Sequence, residues 1–279
     1  MGAWTLKEGA ELNNSIYTNH SRQRLYGSHS GTLSIYETSL NIFGWGAFFS
    51  SNYTTADKRL ALSAGIRMDG NTYNRKMRQL WKQFSHASLH PTNSRNNGLS
   101  GSTGLYHQLP PYTALGYKDN EGQYLNKNLK YMQVFESSLG VDWHLQDRFM
   151  VSAEGFFKRY SRMPLSLQDN IPLACKGNDY GVTGNEALVP TASGRAYGLE
   201  TMFRWQASGK FNLVSSFTLY RSEYRNRPDG DFIPSAWDNR FILNMSGTYN
   251  LPRRWSIGGK LSYIAAAPTL PMMKTNHHS

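Results

Sequence analysis

Eight histidines, one cysteine and nineteen carboxylates are the groups from which a catalytic or metal site in this 279-residue chain would be built. His86 and His90 are four residues apart. On a helix that spacing puts two imidazoles on one face, where they can ligate a metal ion. On a strand they share a face but stand about 13 Å apart, and the pattern around them is strand-like, so no metal site is expected. Lys118-Asp-Asn-Glu-Gly-Gln123 offers carboxylates to calcium but lacks the EF-hand spacing and reads as an exposed loop. Gly98-Leu-Ser-Gly-Ser102 misses the G-x-S-x-G spacing of a nucleophile elbow, and no helix follows it. Cys175 is the single cysteine, so neither an internal disulfide nor a thiolate cluster is available. Glu136, Asp142, Glu154, Lys158, Glu200 and Arg204 fall on the polar faces of alternating segments. They either line a permeation path or pair across strands, and pairing is the expected role. Nothing here argues for catalysis: no catalytic, cofactor-binding or metal residue is assigned, no cofactor is expected, and the chain is not read as an enzyme.

The elements that hold these groups are strands. Eleven stretches alternate apolar and polar residues at a period of two, so each strand has one apolar and one wet face. They run Trp4–Asn14, about Leu40–Asn52, Leu60–Asp69, about Gln83–His90, about Leu99–Gln108, Tyr131–Leu145, Phe149–Tyr160, Tyr197–Gln206, Phe211–Tyr220, Phe241–Leu251 and Trp255–Ala265. Short connections fall at Thr54–Arg59, Asn93–Asn97, Gln146–Arg148, Ala207–Lys210 and Pro252–Arg254. Long ones fall at Thr18–Ser39, Gly70–Lys82, Leu109–Lys130, Ser161–Ser193 and Arg225–Arg240. The two kinds alternate without exception. Outer-membrane barrels have that parity, with short periplasmic turns and long extracellular loops. A sandwich or propeller does not require it, and there is no repeat of 40–50 residues to make Trp237-Asp238 a propeller signature. The expected fold is all-β: an antiparallel meander of about eleven strands forming part of a transmembrane β-barrel in the outer membrane of a Gram-negative cell.

Composition agrees. Hydrophobic residues make up 39% and aromatics 13%. That suits strands with one apolar face in lipid and aromatics at the interfaces better than it suits a packed soluble core. The net charge of +11 is scattered over turns, loops and polar strand faces, with no nucleic-acid-binding motif, so nucleic acid is not an expected partner. No apolar run approaches the length of a membrane helix. Met1-Gly2-Ala3-Trp4 lacks the pattern of a signal peptide, which places the expected true N-terminus upstream. Arg159, Arg162, Tyr180 and Arg225 fall near the outer rim; a basic rim suits anionic ligands, but surface arginine is common and they define no site.

Several segments carry a family resemblance. Gly194-Arg-Ala-Tyr-Gly-Leu-Glu200 resembles the "G-x-a-Y-G-x-E" strand start of TonB-dependent outer-membrane receptors. Phe232-Ile-Pro-Ser-Ala-Trp-Asp-Asn-Arg240 resembles their "y-x-P-x-x-x-D-x-R" entry into a strand. Gly104-Leu-Tyr-His-Gln-Leu-Pro-Pro-Tyr112, Ala64-Gly-Ile-Arg-Met-Asp69, and Asn250-Leu-Pro-Arg-Arg-Trp-Ser-Ile-Gly258 with Ala267-Pro-Thr-Leu-Pro271 are similar to further receptor segments. The resemblance implies a 22-stranded barrel with an N-terminal plug, energised through TonB, importing a scarce nutrient of the siderophore, cobalamin or glycan class. Its partners would be outer-membrane lipid, a small-molecule nutrient, the plug and the remaining barrel strands, with TonB reached only through the plug. The chain departs from that pattern at both ends. Residues 1–279 are therefore expected to be a partial barrel domain from the C-terminal half, without plug or signal peptide. A passive porin or adhesion barrel, or a non-functional truncated gene product, is the alternative; a soluble β-lectin is a more distant one.

Overall fold

The computed structural model describes residues 2–24, 33–77, 80–89, 97–119, 121–145, 148–176, 184–207 and 209–268. They form one antiparallel sheet of β1 (Ala3–Arg24), β2 (Leu33–Thr54), β3 (Leu60–Asn71), β4 (Leu80–Leu89), β5 (Asn97–Gln108), β6 (Met132–Leu145), β7 (Phe149–Ser166), β8 (Leu188–Ala207), β9 (Phe211–Arg225), β10 (Ile233–Pro234), β11 (Phe241–Asn250) and β12 (Ser256–Ile264). Each strand pairs with the next in sequence, except that β9 pairs β11 and the two-residue β10 extends the sheet beside the upper part of β9. The eleven long strands contain the alternating stretches, but β7 runs six residues past Tyr160 and β8 begins nine residues before Tyr197, both inside the expected Ser161–Ser193 connection. β10 is an addition, inside the Arg225–Arg240 connection.

The register makes each face continuous across the sheet. Leu139, Gly155, Leu199 and Leu219 stand opposite one another on β6, β7, β8 and β9, all on the apolar face. That face is bare: Trp4 is 67% exposed, Leu12 74%, Leu139 61% and Ile257 65%. A row of large apolar side chains left open to water would drive aggregation; lipid satisfies it. Rings cluster near the short-turn end, where Phe149 stacks on Trp205 at 5.7 Å and Trp205 meets Phe211 edge-on at 4.8 Å.

β1 and β2 continue far beyond the sheet. They stay paired from Ala3↔Thr54 to Arg24↔Leu33, while β3 leaves β2 at Gly44↔Asn71. Alternation alone ends the first strand at Asn14 and begins the second at Leu40; the strands run about ten and seven residues further. The reason lies in β2. Phe43 and Trp45 point to the apolar face, but Tyr36, Leu40 and Ile42, on the opposite phase, are buried at 7%, 5% and 3%. Above the lipid the burial demand switches sides, so the alternation slips by one residue at Ile42-Phe43. β8 shows the same switch. Leu188, Ala192 and Ala196 are buried on the polar side, and Tyr197 and Leu199 below them face out.

Candidate functional site

The buried core lies on the polar face at the long-connection end, where strand ends and loops pack together. Leu40 and Ile42 of β2, Tyr73 and Met77 after β3, Ala114, Leu115, Leu129 and Tyr131 of the β5–β6 connection, Leu173 after β7 and Leu188 of β8 form one cluster. Met77, Ala114, Leu115 and Leu129 are fully buried. A single helical turn, α1 (Tyr112–Leu115), follows Pro111, whose fixed φ suits a helix start.

Polar side chains lock the loops to one another. The Tyr73 hydroxyl donates to the Leu115 carbonyl at 2.9 Å and the Tyr36 hydroxyl to the Thr113 carbonyl at 2.8 Å. Thr38 Oγ1 donates to the Gly116 carbonyl at 2.7 Å. Asn126, 1% exposed, donates through Nδ2 to the carbonyls of Ala114 (2.7 Å) and Glu186 (2.9 Å) and accepts the Leu188 N–H at 2.8 Å. One carboxamide thus ties the β5–β6 connection to the β7–β8 connection. Lys176 pairs with Asp169 at 2.6 Å and Glu186 at 2.8 Å. Burial opposes Asp169's charge, but Lys176 and the Ile171 N–H outweigh it and hold the carboxyl below its ordinary value. Cys175 is 2% exposed, and burial pushes its thiol up to about 12.

On the surface of this cap, aromatics and ammonium groups interleave. Lys127 lies 4.9 Å from the Tyr73 ring centroid and 4.8 Å from that of Tyr124, and Lys118 lies 4.8 Å from Tyr124. Tyr17 of β1 stacks on Tyr112 at 5.5 Å. The Tyr124 hydroxyl donates to the Ser39 carbonyl at 2.6 Å. Phenol faces and Nζ–H donors together suit a planar or anionic small molecule.

The polar groups singled out in the sequence separate. Lys158 faces Glu136 across β6–β7 at 3.1 Å, a cross-strand ion pair. Glu154 and Glu200 stand directly opposite each other, two like charges on the polar face. Asp142 faces Ser152, and Arg204 faces Met150. Asp119 uses its carboxylate on its own loop, accepting the N–H groups of Glu121 (3.0 Å) and Gln123 (2.8 Å). Ser102 lies in β5 with its Oγ 2.8 Å from that of Ser138. His86 lies in β4 opposite Ser63 and Ser102; its side chain, His90 and Tyr180 lie outside the described residues. Arg159 and Arg162 fall in β7, and Arg225 ends β9. The sequence reading missed the triad of Arg67 with Glu11 (2.9 Å) and Asp69 (2.8 Å), which needs β1 and β3 brought onto opposite flanks of β2.

The two most specific sequence segments are structural. Gly194 and Gly198 face the polar side, where Tyr224 and Tyr220 occupy the space a Cβ would need. In Phe232–Arg240 the fully buried Asp238 accepts the Ser222 N–H at 2.9 Å, and Asn239 Nδ2 donates to the Ala265 carbonyl at 2.8 Å. These bonds turn the chain from β10 into β11.

A meander with a bare apolar face, a charged opposite face and loops packed over one end is the wall of an outer-membrane β-barrel. Residues 2–271 match the family described as TonB dependent receptor-like, beta-barrel, and the chain belongs to it. This is a family of transport receptors of the Gram-negative outer membrane rather than of enzymes. None of the curated proteins matches the sequence. Among solved structures, the chain is similar to the ferric-catecholate import receptor Fiu of Escherichia coli K12, with a TM-score of 0.62 at 14% identity, covering 94% of this chain and 42% of that one. It is similar to the siderophore receptor PirA of Acinetobacter baumannii, with 0.66 at 13% over 93% and 39%. For the ferripyoverdine receptor of Pseudomonas aeruginosa the values are 0.64 at 14% over 92% and 35%. At these identities the likeness establishes the fold. The chain spans less than half the length of each receptor.

Proposed function

We propose that this chain is the wall and extracellular cap of a receptor that imports a scarce nutrient, an iron–siderophore complex, with energy from TonB. The observation that carries the reading is the cap. Three connections fold over the polar face at the long-connection end and are locked by buried polar side chains. They present Tyr112 and Tyr124 with Lys118 and Lys127, and Lys127 covers the buried ring of Tyr73. A passive pore has no need to build a packed core across its mouth. The solved receptors of similar fold, described as importing ferric catecholates or binding ferripyoverdine, support the substrate class.

In this reading the working protein includes a plug and further strands that pair the outer edges of β1 and β12, since unpaired edges cost several kcal/mol per group in lipid, roughly. Glu154 opposite Glu200 supports a plug, because two facing carboxylates on the polar side call for cations from another segment.

The test is uptake by the complete protein in a host deleted for its own receptors, using labelled ferric siderophores, cobalamin and oligosaccharides. Siderophore uptake that requires TonB and falls in a Tyr124→Ala, Lys127→Gln variant supports the reading. Equal, TonB-independent flux of all three solutes identifies a passive pore.

A further inference from the structure

We propose that the apolar face carries a binding site for an anionic, phosphate-bearing lipid: one acyl chain lies in a hollow at Gly155, and its phosphate meets the guanidinium groups of Arg159 and Arg221. The proposal rests on this face meeting lipid, and it goes beyond import. Gly155 leaves an open hollow of about 770 Å³, walled by Leu139, Phe157, Tyr197, Leu199 and Leu219. A Cβ added at Gly155 would meet nothing within 4 Å. By contrast, the glycine of the neighbouring row on the polar face, Gly198, is covered by Tyr220 and Phe156.

Directly above the hollow the apolar face turns basic. The next row holds Ser137, Phe157, Tyr197 and Arg221; the row beyond holds Phe135, Arg159, Arg195 and Glu223. Glu223 is shared by Arg195 at 2.9 Å and Arg221 at 3.1 Å. Asp238 lies between Arg221 and Arg240, 3.9 and 3.8 Å away. Three guanidinium groups thus meet two carboxylates, and Arg159 adds a fourth beside them. Arg159 stands directly opposite Arg195, and among the described residues no carboxylate pairs with it. Glu223 and the Phe232 ring, 4.0 Å away, already answer the charge of Arg195, so Arg159 is the guanidinium left for an anion, and its fork matches phosphate.

The charge is one-sided. At the short-turn end the same strands carry Trp143, Val151, Phe203 and Ser215, then Leu145, Phe149, Trp205 and Leu213, all uncharged. Tyr197 and Phe157 mark the level where aromatic side chains meet headgroups. A headgroup at that level places its acyl chains alongside Gly155.

The test uses the protein extracted from outer membranes in mild detergent. Native mass spectrometry follows retention of dioleoyl phosphatidic acid, its zwitterionic phosphatidylcholine counterpart, and inorganic phosphate. Phosphatidic acid should be retained about tenfold better than phosphatidylcholine, the scale of one charge-assisted contact. An Arg159→Gln, Arg221→Gln variant should lose that preference while keeping heat-modifiable gel mobility. Gly155→Leu, which fills the hollow and leaves the arginines, should lower retention of both lipids. Equal retention of the two lipids by the unaltered protein would overturn the proposal. So would an unchanged preference in the double variant, or displacement of the lipid by an equal concentration of inorganic phosphate, which would mark a free-anion site. The failure of lipid contact itself would show separately, in nitroxide labelling of the apolar face.

Discussion

Replacing Asn126 by alanine should open the loop cap while leaving the wall intact. The carboxamide makes three hydrogen bonds to backbone groups in two connections, and all its polar atoms are buried. Alanine leaves two carbonyls and the Leu188 N–H without that partner. At about 1 kcal/mol for each lost bond, the cap loses roughly 3 kcal/mol of local stability. With 1.4 kcal/mol per factor of ten, that is roughly a hundredfold loss of protection at the affected amides. Hydrogen exchange read by mass spectrometry resolves it, because residues 184–192 and 111–117 should exchange faster while residues 241–250 of the β11 region keep wild-type rates. Asn126→Asp separates hydrogen bonding from volume. It keeps the size but sets a carboxylate against two carbonyls, so it should be at least as damaging. Protection changed by less than threefold in both variants, or a loss spread equally to residues 241–250, would refute the claim that this side chain holds the cap.

Two further outcomes follow from the same loops. Cys175 should resist maleimide at pH 8 in the folded protein, since burial keeps its thiol protonated with a pKa near 12, and should react at an ordinary rate once Asn126→Ala opens the cap; thiol-labelling kinetics measure both. Asp169 is held below its ordinary value, so its contribution is complete above the unfolded aspartate value of about 3.9 and is lost as pH falls through the lower folded value. Exchange in residues 166–176 should therefore be flat from pH 8 to 5, after correction for intrinsic rates, and rise below about pH 4. Lys176→Met should blunt that rise; an unchanged acid response would assign it to other groups.

The wall was legible in the sequence because lipid enforces a simple rule. From Tyr197 to Tyr220, one face must be apolar at every second residue, and the turn Ala207–Lys210 interrupts the pattern without shifting the faces. The upper strands were less legible. From Thr18 to Arg22 β1 carries polar side chains on both sides, so the strand continues where its signal ends. The phase slip at Leu40-Asn-Ile42-Phe43-Gly-Trp45 was present in the sequence; it marks the level where the buried face changes from lipid to loop. The cap cluster was not legible. Tyr73, Leu115, Leu129 and Leu188 come from connections with no period of their own, and only the meander brings them together. Among the six charged residues of the polar face, pairing was foreseen and is seen for Glu136 with Lys158. Glu154 opposite Glu200 is set by register, which alternation alone does not fix.

Odd-numbered residues of β8 face lipid and even-numbered ones face the polar side. Nitroxide labels placed singly from residue 197 to residue 204, in a Cys175→Ser background and with the protein in bilayers, test it by their collision rates with oxygen and with a water-soluble nickel chelate. The account predicts a period of two: high oxygen and low nickel accessibility at 197, 199, 201 and 203, and the opposite balance at 198, 200, 202 and 204. Accessibility in phase at all eight sites, or nickel access on both faces, would contradict it.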